Sequence, residues 1–169
     1  REGKNSPVDS YTASPLAASD SGLSISVQTY PITVGAGGGG ITSGPAGSDA
    51  GTGSNSVFST ITSAGGGRGG SGPHPTYSPG GNGGSGGGSD AYGHPSSGPN
   101  MAAGSGNTPP VSPPQGNNGG IGIYNSPNGT GRGGGGGGAT AAGTATTPGG
   151  NPGGAGAITC ITGSPVAYA

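Results

Sequence analysis

The sequence predicts a non-helical fold: a bundle or layered sandwich of extended glycine-rich segments, in polyglycine II or polyproline II conformation, with a few short β-strands. Two observations lead to this class. Glycine and proline supply 47 and 17 of the 169 residues, and Gly133–Gly138 is an unbroken run of six glycines. Such a run has no side chains to bury. It becomes ordered only where neighbouring segments hydrogen-bond to its backbone, because an extended left-handed helix has no internal hydrogen bonds.

Composition also limits the function classes. Hydrophobic residues are 25% of the chain, with one Phe and no Trp, so a conventional apolar core is out of reach. The net charge of −1 supplies no basic surface for nucleic acid. No apolar run approaches the roughly 20 residues of a membrane-spanning helix, and the single cysteine, Cys160, excludes an intrachain disulfide framework. We therefore expect no nucleic-acid partner and no membrane insertion.

The chain divides into two predicted regions. Residues 1–34 form an N-terminal arm and β segment, and residues 35–169 form a glycine-rich packed region. The first part of the arm, residues 1–22, is polar and aperiodic, as in an extended segment that lies against another surface. Because the chain begins at Arg1 without Met, we expect it to be a processed piece, or part of one domain of a longer chain.

Several short segments have strand character, and most of them lead into glycines. Apolar residues alternate between Ser24 and Val34, with a change of phase at Gln28-Thr29 that predicts two strands joined by a bulge. Each further strand is predicted from β-branched residues next to glycine. These strands are Ser56–Thr62, Gly120–Tyr124, Ile158–Thr162 and Val166–Tyr168.

A spacing of three residues is visible inside the glycine tracts. The segment 80–87 reads GGNGGSGG, and four side chains, Arg68, Ser71, His74 and Tyr77, are each three residues apart. With three residues per turn, side chains at this spacing line one edge of a helix and leave the glycines to face neighbouring helices. The residues expected on exposed edges are Arg68, Ser71, Asn82 and Ser85.

The same geometry predicts which substitutions the packing would not tolerate. We expect Gly84→Val and Gly136→Val to disrupt the fold, because either side chain would push neighbouring helices apart. A different conformation is expected for residues 98–118, which contain two Pro-Pro pairs and are predicted to form a polyproline-type loop.

The sequence offers no strong catalytic, metal-binding or nucleic-acid-binding pattern. His74, His94 and Asp90 lack the spacing of metal ligands, and both histidines precede proline in loop-like sequence. Arg68 and Arg132 each precede two glycines, as in RNA-binding segments, but two copies at a net charge of −1 favour solvated edge residues instead. No strand-turn-helix context surrounds a nucleophile. We expect no enzyme activity, no metal and no cofactor.

Three stretches together resemble the glycine-rich tail fibre and receptor-binding proteins of tailed bacteriophages: TYPITVGAGGGG (Thr29–Gly40), GSNSVFSTITSAGGGRGG (Gly53–Gly70) and AITCITGSPVAYA (Ala157–Ala169). A fourth, GNTPPVSPPQGNNGG (Gly106–Gly120), is similar to the linkers between tracts in such proteins. In the related adhesins at the tail tip of T-even-like phages, glycine-rich motifs form polyglycine II helices stacked in layers, and loops at one end contact the host receptor. The resemblance implies the same architecture here.

The resemblance implies a structural and adhesive segment of a phage tail fibre, in the virion tail or otherwise extracellular. Such a segment is a rigid scaffold that presents loops to a bacterial surface glycan or outer-membrane protein. Its other partners are fibre chains, with a homotrimer as one arrangement. The alternative is a purely structural glycine-rich extracellular or virion fibre segment without receptor contact. A third class, ice-binding proteins of the snow-flea type, is disfavoured by the single cysteine and the irregular tracts.

In an adhesin, aromatic residues in loops are the expected receptor contacts. An aromatic ring covers the apolar face of a sugar while nearby polar groups fix its orientation. The alternative is that these tyrosines cap the edges of the bundle and shield its backbone from water. The candidate receptor-binding residues are Tyr77, Tyr92, His94 and Tyr124.

Overall fold

The computed structural model is built mainly from extended backbone. The described residues are 12–17, 23–41, 49–72, 78–91, 101–125, 130–145, 151–160 and 162–168. Within these ranges no residue is helical, and the strands are two or three residues long and form three small antiparallel sheets. The prediction of a non-helical chain with a few short strands is therefore confirmed.

The first sheet contains three strands in the order β1, β2 and β3, which are Ile32–Thr33, Ser56–Phe58 and Ile61–Ser63. The prediction of one continuous strand over Ser56–Thr62 is wrong. Phe58 pairs with Ile61 across a two-residue turn, in which Ser59 has a φ of 52°. A left-handed φ at the first turn residue is typical of a type II′ hairpin, where glycine is usual. Without glycine at that position, the sequence pattern does not reveal the turn.

The alternating segment Ser24–Val34 forms much less strand than its pattern predicts. Only β1 pairs with another strand, and the backbone bends at Val27-Gln28, next to the bulge predicted at Gln28-Thr29. Ile25 is 57% exposed, so this part of the segment does not bury its apolar face. Alternation indicates which side chains share a face, but a strand forms only where a neighbour supplies hydrogen bonds.

The other two sheets pair β4 (Ile123–Asn125) with β5 (Thr130–Arg132), and β6 (Ala157–Thr159) with β7 (Val166–Tyr168). Each of the three remaining predicted segments, Gly120–Tyr124, Ile158–Thr162 and Val166–Tyr168, therefore contains strand residues, although β6 ends before Thr162. Between β6 and β7, Gly163 has a φ of 86° and its N–H donates to the Cys160 carbonyl at 2.8 Å. β1, β3 and β5 each lead into glycines, which confirms the order of strand followed by glycine tract.

Extended tracts run back and forth between the strands. They comprise residues 35–41, 49–55, 64–72, 78–82, 85–91, 101–106, 116–122, 133–138, 141–145 and 151–156. Backbone hydrogen bonds join them, and successive bonds between the same two tracts are three residues apart on both sides. Gly67 and Gly70 donate to the carbonyls of Ser85 and Gly88, for example, both at 2.8 Å.

Tract 85–91 is the centre of the packing. Its backbone forms hydrogen bonds to five other tracts, 64–72, 78–82, 101–106, 116–122 and 133–138. The prediction that a glycine tract bonds to two or more other tracts is therefore confirmed. Most of the fully buried residues are glycines, and buried apolar side chains in the described part of the chain are limited to Ala91 and Ala139. The interior is therefore made of hydrogen-bonded backbone.

Glycine is required where the tracts approach most closely. A Cβ at Gly87 would lie within 3.0 Å of the Arg68 carbonyl, and a Cβ at Gly84 would lie 2.7 Å from the Ala64 carbonyl oxygen. Close packing at Gly84 is thus confirmed. At Gly136 the prediction is wrong, because the nearest atom to a Cβ there is 3.9 Å away. This glycine lies on the exposed side of its tract, where no neighbouring backbone blocks a side chain.

The predicted exposed edge is confirmed only in part. The glycines in 80–87 are buried and Asn82 is exposed, but Ser85, Arg68 and Ser71 are half-buried. The chain bends at residues 83–85, so the GGX repeat spans a turn between two antiparallel tracts instead of one straight helix. The third residue of each GGX repeat is therefore not always exposed. Asn82, on one side of the turn, faces solvent, whereas Ser85, on the other side, faces another tract.

The predicted polyproline loop, residues 98–118, is wrong over most of its described part. Residues 101–106 form a packed tract, in which the N–H of Gly104 donates to the Gly87 carbonyl at 2.8 Å. The following turn is compact, because the Asn107 amide accepts from the N–H groups of Val111 and Gln115 and donates to the Val111 carbonyl. Both Pro-Pro pairs lie in this turn, and the peptide bonds Thr108-Pro109 and Ser112-Pro113 are cis.

Candidate functional site

The antiparallel tracts create two distinct ends of the bundle. At one, the turn end, the chain reverses at residues 83–85, 106–115 and 139–141. The opposite end, the loop end, is defined by Ser71, Ser78, Ser89, Gly122 and Gly134. There Ser71 and Ser78 exchange backbone hydrogen bonds, and Gly134 donates to the Ser89 carbonyl at 2.8 Å. The bundle therefore presents two separate end surfaces.

The receptor-binding residues expected from the sequence are all close in sequence to described residues of the loop end. Tyr77, Tyr92 and His94 lie outside the described residues, but the described residues that flank them in sequence, Ser78 and Ala91, belong to this end. Tyr124 is described: it lies in β4, is half-buried and pairs with Gly131 of β5. The connections that carry all four candidates thus begin at the same end of the bundle.

Ser89 anchors the loop end. Its side chain is among the most buried in the described chain, with 2% of the residue exposed, and its hydroxyl oxygen accepts from the Gly122 N–H at 2.8 Å. The next residue, Asp90, is half-buried, and its carboxylate accepts from the Ala91 N–H at 2.6 Å. These bonds hold the stem before Tyr92 and the start of the β4 hairpin against each other. Sequence analysis missed Ser89, because nothing distinguishes it from the other serines next to glycine.

A charged cluster lies on the side of the loop end. The Arg68 guanidinium donates to the Asp49 carboxylate at 2.6 Å, and the Ser71 hydroxyl donates to its other oxygen at 3.0 Å. A hydrogen bond from the Ser78 side chain, reinforced by Ser71 and the charge of Arg68, holds the pKa of Asp49 below its usual value. The expectation that Arg68 is a solvated edge residue is therefore wrong. Its carboxylate partner lies 19 positions away in the sequence, a distance at which no sequence pattern links the two.

The turn end contains an open groove of about 670 Å³. Its walls include apolar side chains from distant parts of the chain, namely Leu16, Pro114, Ala139 and Tyr168. Gln115 also lines it, and its side-chain oxygen accepts from the Ala64 N–H at 2.6 Å. Tyr168 is 54% exposed and supplies an aromatic face beside polar groups. The sequence indicated only that Tyr168 belongs to a strand.

Two features are absent from the described part of the chain. No three His, Cys, Asp or Glu side chains there come together as metal ligands would. Among these residues there is also no helix with the length and apolar character of a membrane span. No family model, no curated protein and no solved structure matches the chain. The case for a function therefore depends on the geometry of the bundle and its two ends.

Proposed function

We propose that the glycine tracts are polyglycine II helices packed side by side as a rigid bundle. The main support is the hydrogen-bond register: bonds between two tracts recur every three residues, which is the number of residues per turn in this helix. Among the described glycines only Gly163 has a left-handed φ, so the tract glycines stay outside that region. Close approach on several sides of one tract, as around Gly87, is what a helix without side chains allows.

On this scaffold we propose a structural and adhesive segment of a phage tail fibre. One observation carries the proposal: the antiparallel path returns the chain repeatedly to the loop end, so that the stems next to Tyr77 and Tyr92 lie beside the hairpin that contains Tyr124. A rigid bundle in which the connections next to the candidate residues start at one end suits the presentation of loops to a surface. The receptor is then a bacterial surface glycan or outer-membrane protein.

The bundle has the mechanical character that a fibre requires. Hydrogen bonds through the interior connect tracts that are far apart in sequence, such as Gly86 with Asn117 and Asn117 with Gly138. Bending the bundle would break many of these bonds together, since each tract bonds to several others. This rigidity supports our proposal that the segment belongs to the virion tail, with other fibre chains as partners and without a catalytic role.

Binding of the labelled protein to a panel of bacterial strains tests the adhesive part of the proposal. The double variant Tyr77→Ala with Tyr92→Ala should bind a susceptible strain at least about tenfold more weakly, since losing an aromatic contact of about 1.4 kcal/mol has that effect. Tyr168→Ala is the matched control, because it removes the same side chain at the turn end. It should bind like the wild type.

The possible results separate the competing functions. Loss of binding in Tyr168→Ala, with the loop-end double variant unaffected, would move the recognition site to the groove at the turn end. Absence of binding by the folded wild type to every strain would support the purely structural fibre segment. Thermal unfolding of each variant, followed in parallel, shows that a loss of binding does not result from a loss of folding.

A further inference from the structure

The central tract has an open side. A rod packed among rods of equal width has room for six neighbours, and tract 85–91 is hydrogen-bonded to five. The remaining side is a groove of about 420 Å³ between tracts 64–72 and 133–138, with residues 85–90 as its floor. This groove, called the sixth-tract groove below, lies where one more helix would complete the packing around the centre.

Several backbone groups that line the sixth-tract groove have no partner among the described residues. The carbonyls of Gly67 and Gly70 on one wall accept no hydrogen bond, and neither do those of Gly134 and Gly137 on the other. On the floor, the N–H of Gly88 donates to no described residue, although the N–H groups of the residues on either side of it do donate. Two rows of acceptors and one donor therefore line the same groove.

We propose that the sixth-tract groove binds an extended glycine-rich segment from a second copy of this chain, namely residues 36–40. An occupant must donate on two sides and accept on a third, and it must approach the walls without side chains of its own. A glycine backbone with three residues per turn meets both conditions. The proposal rests on the polyglycine II packing proposed above, but not on receptor binding.

The lining of the groove favours a peptide over a sugar. All but three of its lining residues are glycine, the others being Ser85, Ser89 and Asp90, so no aromatic face is present to cover a sugar ring. At Gly69, an added Cβ would have no atom within 4 Å, and at Gly136 the nearest atom is 3.9 Å away. The walls therefore leave room for a neighbouring backbone at these points, as they do between the tracts already packed.

Among the described tracts, residues 36–40 have sides that are open to a further partner. They bond to tract 49–55 through the carbonyls of Ala36 and Gly39, while no N–H group in 36–40 has an acceptor among the described residues. An added Cβ at Gly37, Gly39 or Gly40 would meet no atom within 4 Å. Segment 23–41 carries no charged residue, so no charge opposes its burial in a second copy. The tract offers the donors that the groove lacks.

The contact is heterologous, because the tract of one copy meets the groove of the next. Repetition of such a contact closes into a ring when the rotation allows and otherwise continues as a filament. Both outcomes fit a fibre, and a three-membered ring would be the homotrimer, the one arrangement named with the resemblance above. The contact area of a single five-residue tract is small, so a single contact should be of the weak and reversible class.

Sedimentation velocity of the full chain tests the proposal at concentrations up to about 1 mM, which detects even a millimolar dissociation constant. The wild type should associate reversibly. Gly69→Val, Gly136→Val and Gly39→Val should each weaken association at least about tenfold, because the added side chain blocks the groove or the tract. Ala155→Val is the matched control, since it adds bulk at an exposed position outside the groove. It should associate like the wild type.

Disulfide trapping tests the pairing of the two surfaces. In a Cys160→Ser background, a mixture of Gly39→Cys and Gly69→Cys chains should form the mixed disulfide faster than either chain forms its own. A monomeric wild type over the whole concentration range, unchanged association in the groove variants, or preferential Gly39→Cys self-pairing would each overturn the proposal. Unchanged melting temperatures in the three valine variants would show that the bundle itself is intact, so this failure is distinct from failure of the proposed packing or of receptor binding.

Discussion

Replacing Gly87 with Ala is the sharpest test of the backbone-to-backbone packing. The added Cβ would lie within 3.0 Å of the Arg68 carbonyl and 3.1 Å from the Gly69 nitrogen. Both contacts are with the backbone of tract 64–72, so a side-chain rotation cannot relieve them. Tracts 64–72 and 85–91 must therefore move apart, which stretches the hydrogen bonds from Gly67 and Gly70.

The expected magnitude follows from these bonds. Two backbone bonds at about 1 kcal/mol each, with desolvated groups left unpaired, amount to a loss of about 2–3 kcal/mol. Alanine restricts the unfolded chain more than glycine does, and this offsets about 0.4–1 kcal/mol. The free energy of unfolding should fall by about 2 kcal/mol. In a chain of this length the melting temperature should fall by about 4–8 °C.

Gly66→Ala is the matched control, because the same substitution is made in the neighbouring tract. No atom lies within 4 Å of a Cβ at Gly66, and its φ is not in the left-handed region. Only the effect on the unfolded chain then remains, so the free energy of unfolding should rise by about 0.4–1 kcal/mol. Differential scanning calorimetry of the two variants measures opposite signs if the packing is as described. Equal shifts in the two variants would refute the claim that the tracts pack without room for a methyl group.

Three further predictions concern single residues. Ser59→Gly should raise the free energy of unfolding by about 0.5–1 kcal/mol, because glycine relieves the left-handed φ of 52°; a destabilised variant in urea unfolding would contradict this turn geometry. The folded-state pKa of Asp49 lies below its unfolded value, so its contribution to stability is present above pH 3.8 and is lost as the pH falls through the folded pKa. Melting temperatures measured down to strongly acidic pH should therefore converge for the wild type and Asp49→Asn, and a constant difference would count against the cluster. Asn107→Ala should cost about 1–3 kcal/mol in urea unfolding through its lost hydrogen bonds to Val111 and Gln115, whereas Asn107→Asp, which keeps the acceptor oxygen, should cost less; equal losses would mean that the acceptor does not organise the turn.

Composition was enough to predict a chain without helices and with only a few short strands, as the described residues show. Glycine tracts without side chains have no stable alternative to close backbone packing, and the buried glycines around Asn82 follow from the GGX pattern. The strands were predictable where β-branched residues precede glycine, as in β3. The partner of each strand could not be predicted, because a pair such as Ile32 and Phe58 joins segments that are far apart in the sequence.

Residues at the candidate site were harder to predict for the same reason. Tyr124 was proposed from its residue type and an expected loop context, but it lies in strand β4. The role of Ser89 depends on Gly122, and that of Arg68 on Asp49, so each requires knowledge of which tracts are neighbours. In a chain where most positions are Gly, Ser or Ala, few side chains are distinctive enough to specify such neighbours from sequence.

The run Gly133–Gly138 shows the limit of the sequence most clearly. Its six positions are chemically identical, yet a Cβ at Gly134 would collide with the Gly120 carbonyl and one at Gly137 with the Asn117 carbonyl, while Gly136 is open. The rotation of the tract about its own axis decides which positions are blocked, and the run itself contains nothing that fixes this rotation. It is fixed at the ends, by the pairing of β5 with β4 on one side and by the reversal at residues 139–141 on the other. The distinctive residues of this chain are therefore concentrated in its strands and turns, because these must determine the phase of tracts that cannot determine their own.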